Sequence, residues 1–542
     1  MILILVGVVA IMFLLVIVTL GNADNEKDKE KGGLVDFSED KDLLESSYST
    51  DASWFKMTPK RVYFPSSVQE VQNIVSDIGK RKQNGEDVSL SVRSGGTCMS
   101  GGSLTEGVVI DMTKNMNKVE INPESTTITV EAGAYFRDIE DLAKKHGLMF
   151  PAYPSSHRVC GIGGMIGNNA SGEKSLRGGA TGDNILELEV VLANGSVKNI
   201  KSQNLSEIAE GEDKAILDLY NEFGGDLSQA VGEVKKAASG YRLDKVVNGD
   251  KFNTIPLFVG AQGTLGIVTK AVLKLSPIPK YTELTIISAD SLAELPEVLK
   301  IASVHNPESL ETFDINTFKK AKEYLSEHAN HLIPYINEKA QLFILAQFSE
   351  ESREETSAQT KAFTEKLHEQ GYFIKRITNP LDVASAWQMR RNSFLLMRDH
   401  NPKGFRAVPC IEDVIVPTEK IGEFIDSLLP ILTKHTSNYG FHGHIGDGSL
   451  RIIPVFDFRQ SDALDKVFAL MTDVFALVKN LKGNISADHS DGLIRTPFLK
   501  EFYGDKLYET FNKIKKIYDP NNIMNPGKKV GGGMDLIKKY MR

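Results

Sequence analysis

Cysteine is scarce in this sequence, and its scarcity excludes several kinds of protein. The 542 residues include 3 cysteines, Cys98, Cys160 and Cys410, which lie far apart in the chain. Neither a disulfide framework nor a CxxC metal or cluster motif can be built from them. We therefore expect no iron–sulfur cluster in this chain, because such clusters are held by sets of cysteine thiolates.

An excess of basic residues is also missing. The formal net charge of −8 gives no basic footprint for binding nucleic acid. A hydrophobic content of 41% and a charged content of 25% are typical of a globular protein. A chain of this length is too long for one ordinary core, so more than one domain is expected.

One uncharged apolar run, MILILVGVVAIMFLLVIVTL, opens the chain. At ~1.5 Å per residue it would reach roughly 30 Å as a helix, enough to cross a bilayer. A signal peptide cleaved near GNA is the alternative, although no basic residue precedes the run. We predict a single-pass anchor over residues 1–21 and a charged stalk over residues 22–46. Lysines lie only on the C-terminal side of the run, which predicts a cytoplasmic catalytic domain.

Three glycine-rich blocks follow: RSGGTCMSGGSLTEG from Arg93, IGGMIGNNASGEKSLRGGATGDN from Ile162, and GAQGTLGIVT from Gly260. Glycine lets another molecule approach the backbone closely, and clustered N–H groups can cradle an anion. A Walker A loop needs a lysine that these blocks lack, and GIGGMIG misses the Rossmann spacing by one residue. A flexible hairpin loop is the alternative for the first block alone. Together the blocks indicate a large, extended anionic ligand.

Arginine and histidine recur in the second half of the chain, in SAWQMRRNSFLLM, GFHGHIGDGSLRIIP and ISADHSDGLIRTPFLKEFYG. An arginine fork pairs bidentately with a carboxylate, and a histidine can take a proton from a hydroxyl group. A flavin can accept the hydride from the carbon atom that bears this hydroxyl group. These residues suit oxidation of a 2-hydroxy acid. Alternatively, Arg390 or Arg391 could lie on a helix surface, and His489 could be a hydrogen-bonded core residue.

In order and spacing, the three glycine blocks resemble the FAD domain of the vanillyl-alcohol-oxidase type of flavoproteins. The resemblance runs from about Tyr48 to Val530. It implies an α+β fold with a two-part FAD-binding domain over 47–278 and a substrate, or cap, domain over 279–455. A C-terminal segment, 456–530, is expected to complete the active site and return to the FAD domain, followed by a tail over 531–542.

The resemblance also implies which residues line the cofactor. In that family the first two blocks wrap the pyrophosphate, and the third closes near the flavin. Thr97 stands where covalent members often carry histidine, so non-covalent FAD is expected. The residues expected at the cofactor are Arg93, Ser94, Gly95, Gly96, Thr97, Cys98, Ser100, Cys160, Gly163, Gly164, Asn168, Asn169, Ala170, Ser171, Gly172, Ile267, Val268 and Asn525.

The motifs of the second half, with CIEDVIVP, resemble those of FAD-linked D-2-hydroxy-acid dehydrogenases, the D-lactate, glycolate and D-2-hydroxyglutarate group. Better-known members hold a divalent metal through both histidines of GHxGDGNxH and the glutamate of EHG. Here His444 matches the first histidine, Arg451 replaces the second, and Asp488 replaces the glutamate. His489 keeps the place of the catalytic base, and Arg390 keeps that of the carboxylate-binding arginine.

A permanent cation at a ligand position would repel a metal, so we expect none and assign its charge-stabilising role to Arg451. Electrons from the 2-hydroxy acid would then pass to a membrane quinone or a separate protein. Two alternatives remain at this point. The chain could be a catalytically silent FAD subunit of an electron-transfer complex, or an FAD-dependent oxidase of an alcohol or sugar lactone.

Overall fold

The computed structural model describes residues 35–224, 227–436 and 438–542. The predicted membrane anchor over 1–21 lies outside these residues. Within the described ranges, no helix combines the length and apolar character needed to cross a membrane. Part of the predicted stalk is folded instead: Phe37 pairs with Tyr63 in a short antiparallel strand pair, and Leu44 packs beside Val62. The stalk prediction was therefore too long at its C-terminal end, because apolar residues there join a core.

The FAD-binding region contains two main sheets. One has the strand order β1-β2-β4-β3, in which β2, β4 and β3 run parallel, and the other has the antiparallel order β5-β6-β13-β8-β9. Small sheets β10-β12-β11 and β14-β7 complete it. The strands are β1 (Phe37–Ser38), β2 (Arg61–Tyr63), β3 (Leu90–Arg93), β4 (Val108–Asp111), β5 (Val119–Asn122), β6 (Thr127–Glu131), β7 (Leu148–Met149), β8 (Ile185–Val191), β9 (Val197–Lys201), β10 (Gln203–Asn204), β11 (Val247–Asn248), β12 (Lys251–Phe252), β13 (Ile267–Lys274) and β14 (Ser276–Pro277).

The cap region is built on one antiparallel sheet with the strand order β18-β15-β17-β16-β20-β21-β19. Its strands are β15 (Tyr281–Ala289), β16 (Ser309–Asp314), β17 (Leu342–Glu350), β18 (Phe373–Ile377), β19 (Phe405–Ala407), β20 (Asn438–Gly443) and β21 (Arg451–Asp457). Strand β17 is almost entirely buried, and its continuous apolar pattern fits a central strand covered on both faces. The inner strands β16, β20 and β21 carry the polar residues of the candidate site.

Helices cover these sheets and connect their strands. The first helix after β2 follows the predicted helical spacing: Ser67 caps its N-terminus, and Val71, Ile74 and Ile78 are buried. The helices are α1 (Lys41–Leu43), α2 (Val68–Gln83), α3 (Phe136–Lys144), α4 (Ile162–Asn168), α5 (Ser175–Gly178), α6 (Gly211–Phe223), α7 (Leu227–Val231), α8 (Ile255–Phe258), α9 (Leu295–His305), α10 (Ile315–Tyr324), α11 (Ser326–Leu332), α12 (Arg353–Glu369), α13 (Pro380–Arg391), α14 (Ser393–Asp399), α15 (Ile421–His435), α16 (Ala463–Asn480), α17 (Gly492–Arg495), α18 (Leu499–Tyr518) and α19 (Met534–Tyr540).

The C-terminal segment returns to the FAD-binding region beside β3. The Leu90 amide donates to the Ile523 carbonyl at 2.9 Å, and the Asn525 amide donates to the Leu90 carbonyl at 2.7 Å. The buried side-chain amide of Asn525 then donates to the carbonyls of Gly102 and Gln262, each at 2.7 Å. One asparagine thus ties the first glycine block to the third.

Replacing Asn525 with alanine should destabilise the fold by roughly 2–4 kcal/mol, because two buried carbonyls lose their donor. Asn525 also has a left-handed φ of 46°, so alanine adds a backbone cost. Asn522→Ala is the matched control, because Asn522 is exposed and has a similar φ of 52°. Urea unfolding should show a large decrease in the free energy of unfolding for Asn525→Ala and not for Asn522→Ala. Equal decreases in both variants would assign the effect to the left-handed backbone instead of the side-chain hydrogen bonds.

Candidate active site

The three glycine blocks converge on one deep cleft in the FAD-binding region. Of the residues predicted at the cofactor, those that line this cleft are Ser94, Gly95, Gly96, Thr97, Cys98, Gly163, Gly164, Asn168, Ile267 and Val268. The first block follows β3, the second forms α4, and the third leads into β13. The chain order of the blocks therefore becomes a spatial cluster at the ends of these elements.

Bare backbone is required in the cleft because its loops pack directly against one another. A Cβ atom on Gly95 would meet the Val159 carbonyl oxygen at 2.4 Å, and one on Gly163 would meet the Ala132 oxygen at 2.7 Å. The Ser94 and Ser103 hydroxyls, which belong to cleft-lining residues, are buried and find no hydrogen-bond partner among the described residues. Such hydroxyls fit a ligand rich in acceptor oxygens, as the FAD diphosphate and ribityl chain are.

Several predicted cofactor residues act as supports instead of lining the FAD cleft. Arg93 donates to the Thr50 carbonyl at 2.9 Å, and Asn169 accepts from the Gly182 amide at 2.9 Å. Ser100 donates to the main-chain oxygen of His489 at 3.0 Å. The remaining members of this group are Asn525, described above, and Gly172, where a Cβ atom would meet the Tyr153 carbonyl oxygen at 1.9 Å.

A second cavity opens directly on the FAD cleft, because Thr97, Gly164 and Asn168 line both. The predicted residues that line this second cavity are Cys160, Ala170, Ser171, Arg390, His444, Arg451, Asp488 and His489. The structure thus brings all five predicted catalytic side chains to one place. Arg390 comes from α13, His444 from the β20–β21 turn, Arg451 from the start of β21, and Asp488 and His489 from the loop before α17.

The guanidinium of Arg451 lies at the centre of this cavity's polar wall. It donates to His489 Nε2 at 2.8 Å, to His444 Nε2 at 3.1 Å and to Asp488 Oδ1 at 2.5 Å. Since arginine can only donate, both Nε2 atoms must accept. Each histidine is therefore a neutral Nδ1–H tautomer in this arrangement.

The Nδ1 atoms of the two histidines face carboxylates. His489 Nδ1 lies 2.8 Å from Glu412 Oε2, and His444 Nδ1 lies 2.7 Å from Glu311 Oε1. Burial lowers the pKa of His489, but the Glu412 carboxylate more than offsets this and the net pKa is raised. Burial and nearby cations hold the pKa of His444 well below its usual range. His489 is therefore the histidine that can exchange a proton near neutral pH.

Arg390 is ion-paired with Glu311 and keeps one unused donor. Its Nη2 lies 2.6 Å from Glu311 Oε2, whereas its buried Nε has no hydrogen-bond partner among the described residues. Burial raises the pKa of Glu311 to about 8, although the Arg390 charge opposes this rise. A buried donor without a partner is rare, so the Arg390 Nε is available to a ligand acceptor in the cavity.

Two family models match this chain in consecutive regions. The FAD binding domain model matches residues 59–201, and the model for the C-terminal domain of FAD linked oxidases matches residues 278–529. The chain therefore carries an FAD binding domain followed by the C-terminal domain found in FAD linked oxidases. FAD is its cofactor, and the cleft lined by the glycine blocks fits that group.

Similar proteins span a range of lengths. D-2-hydroxyglutarate dehydrogenase of Pseudomonas putida is 29% identical over 501 residues, which cover 89% of this chain and 49% of that protein. The chain therefore spans about half the length of this relative. Glycolate oxidase subunit GlcD of Bacillus subtilis is 27% identical, with 89% of this chain and 91% of that protein covered. Among solved structures, 4-ethylphenol oxidase from Gulosibacter chungangensis shares the fold, with a TM-score of 0.65 at 16% identity over 92% of this chain and 95% of that chain.

The residues at the metal position expected from the resemblance do not fit a metal in this protein. Arg451 fills the space between His444, Asp488 and His489, and it offers no lone pair. A different set, Glu412, Asp413 and His489, has ligand atoms within 4.8 Å of one another. Those carboxylates are already used, because Glu412 pairs with His489 and Asp413 accepts from the main-chain amide of His489.

Three charged residues of the site, Glu412, Glu311 and Lys236, were not predicted from the sequence. Glu412 lies in the segment CIEDVIVP, which precedes the histidine motif GFHGHIGDG in the chain. The carboxylates of that segment were the available signal. Charges of His489 and Arg495 overcome burial and lower the pKa of Glu412 to about 2. Glu311 lies within an ordinary strand pattern and Lys236 in a loop, so neither position carried a local signal.

The purified protein should contain FAD that acid precipitation releases, because Thr97 replaces the linking histidine. It should contain no stoichiometric divalent metal, because Arg451 fills that position. Flavin absorbance of the supernatant and metal analysis of the protein measure both expectations. Flavin left on the precipitate would contradict the first, and bound zinc or manganese whose chelation abolishes activity would contradict the second.

Proposed function

We propose that this protein dehydrogenates a D-2-hydroxy acid of the lactate, glycolate or 2-hydroxyglutarate type to the 2-oxo acid. One observation carries the proposal: the buried Arg390, whose Nε has no hydrogen-bond partner among the described residues, lines the same cavity as the neutral His489, and this cavity shares lining residues with the FAD cleft. The named activities of the P. putida and B. subtilis relatives support the same class of substrate.

Arg390 binds the carboxylate of the substrate in this proposal. Its Nε donor has no partner among the described residues, and the Nε–Nη2 edge of a guanidinium can hold a carboxylate by two parallel hydrogen bonds. A sugar lactone or simple alcohol has no carboxylate and would leave this buried Nε without a charged acceptor, which disfavours that alternative.

His489 takes the hydroxyl proton of the substrate at Nε2. Glu412 holds its Nδ1–H and stabilises the imidazolium that forms. Arg451, which donates to Nε2 before the substrate binds, turns this donor to the substrate oxygen and stabilises the negative charge there. When bound, FAD accepts the hydride that leaves C2, so the substrate loses one proton and one hydride in total.

We also propose that the electrons leave FAD for a quinone or a separate protein. The cysteines Cys98, Cys160 and Cys410 are buried and unpaired, and three thiols cannot hold a four-thiolate cluster. A further redox group on another chain or a membrane-soluble acceptor would then be needed to reoxidise FAD.

Anaerobic bleaching of the flavin absorbance tests the reaction against a panel of D- and L-2-hydroxy acids, alcohols and sugar lactones. A D-2-hydroxy acid should bleach the flavin. Arg390→Met should lower kcat/KM about 30- to 1000-fold, since losing a buried charge pair costs roughly 2–4 kcal/mol. Arg376→Met, at an arginine of β18 paired with Glu283, is the matched control. If only alcohols or lactones bleached the flavin, the result would favour an alcohol or sugar-lactone oxidase. If no compound bleached it, the result would favour a catalytically silent subunit.

The pH dependence of kcat/KM reports the His489 base. His489 must be neutral to accept a proton, and its pKa is raised above the ordinary value of 6.5. The rate should therefore rise with pH through a midpoint above 6.5. Removing the negative charge with Glu412→Gln lowers the pKa of His489, so the midpoint should move to lower pH. An unmoved midpoint would remove His489 as the titrating group.

A further inference from the structure

Lys236 is a buried cation with no role in the reaction described so far. Its side chain is 4% exposed, and its Nζ lies in a loop of the FAD-binding region. The Nζ donates to the hydroxyl oxygens of Ser171 at 2.7 Å and Ser175 at 3.2 Å. It also approaches Asp447 Oδ2 at 3.1 Å and Asp488 Oδ2 at 3.4 Å.

These contacts join the two halves of the active site. Ser171 belongs to the second glycine block, whereas Asp488 directly precedes the base His489. Asp447 follows His444 by one short turn. A buried ammonium is stable only when it is paired and hydrogen-bonded, so Lys236 requires both halves to be assembled. Its contacts therefore depend on how the second glycine block, with Ser171, is placed relative to Asp488 and the base His489.

The Asp488 carboxylate is shared between two cations. Its Oδ1 accepts from Arg451, and its Oδ2 accepts from the Ser171 hydroxyl at 2.6 Å beside Lys236. If Arg451 were the sole cation facing Asp488, the ion pair would cancel most of the guanidinium charge. Lys236 supplies a second positive charge to the same carboxylate, which leaves more of the Arg451 charge for the substrate oxygen.

We propose that Lys236 is a positioning residue that fixes Asp488 against Ser171 of the second glycine block and keeps the Arg451 charge available to the substrate. This inference rests on the proposed function for its kinetic consequence. Its electrostatic consequence for the flavin stands independently, because Ser171 lines the cavity that meets the FAD cleft.

The charged and titratable groups around Lys236 support a permanent cation. The facing groups are Asp447, Asp488, Arg451, His444 and Glu311. Burial lowers the pKa of Lys236, but the Asp447 and Asp488 carboxylates raise it above the ordinary value. Lys236 therefore stays charged wherever His489 titrates.

Two variants distinguish the charge of Lys236 from its bulk. Lys236→Met removes the positive charge and keeps a long side chain, whereas Lys236→Arg keeps the charge and the hydrogen-bond donors. Lys236→Met should lower kcat about 10- to 100-fold with little change in KM, because a partner lost in the transition state lowers kcat. Lys236→Arg should recover most of that loss. Lys174→Met is the matched control, because Lys174 makes a half-buried ion pair with Glu308 at the same domain contact, away from Asp488. An equal kcat loss in Lys174→Met, or a wild-type kcat in Lys236→Met, would overturn the proposal.

The flavin midpoint potential, measured against reference dyes without substrate, gives the second readout. Losing a positive charge near the cofactor should move the potential of Lys236→Met to a more negative value. Asp447→Asn removes a negative charge instead and should move it to a more positive value. If Lys236→Met fails to retain FAD, the potential of Asp447→Asn alone still tests the charge assignment. Unshifted potentials in both variants would overturn the charge assignment, whereas an unreactive wild type with these shifts would overturn only the proposed function.

Discussion

The three-way contact of the Arg451 guanidinium determines how the rest of the site can work. A guanidinium only donates, so every atom facing it must accept. This single constraint selects the tautomers of His444 and His489 and requires a carboxylate at Asp488. The Nδ1–H groups then point to Glu311 and Glu412, which extends the network to both walls of the cavity.

Burying this many charges is stable only because they are paired across the chain. Arg495 is fully buried and pairs with Glu412 at 2.5 Å, and Lys529 pairs with Asp491 at 2.8 Å. Removing one partner of such a pair leaves an uncompensated buried charge, which typically costs about 3–5 kcal/mol. Because Glu412 belongs to the cap region and Arg495 to the C-terminal segment, these two parts of the chain depend on each other for stability at the site.

The sequence predicted what local patterns encode. Helical spacing located α2, and glycine density located the loops that form the FAD cleft, because both depend on neighbours in the chain. Arg390, Arg451 and His489 were predicted through motif resemblance. Glu311 and Lys236 were missed because their roles come from residues far away in sequence, such as Arg390 and Asp488, and no periodicity marks a charge buried by tertiary packing.

A fixed arginine changes what controls the reaction. A metal can be lost or exchanged, and its bound oxygen has a pKa of its own, whereas Arg451 stays charged at any working pH and cannot dissociate. Of the three groups that Arg451 contacts, Asp488 does not take up a proton at working pH, since its pKa is held well below its usual range by Arg451 and Lys236 despite burial. The cost lies in geometry: a guanidinium donates along its plane, whereas a metal binds oxygens from several directions. In the proposed reaction, the hydroxyl and carboxylate of the substrate are therefore held by separate arginines, Arg451 on β21 and Arg390 on α13, and the distance between these two elements would limit which hydroxy acids reach both.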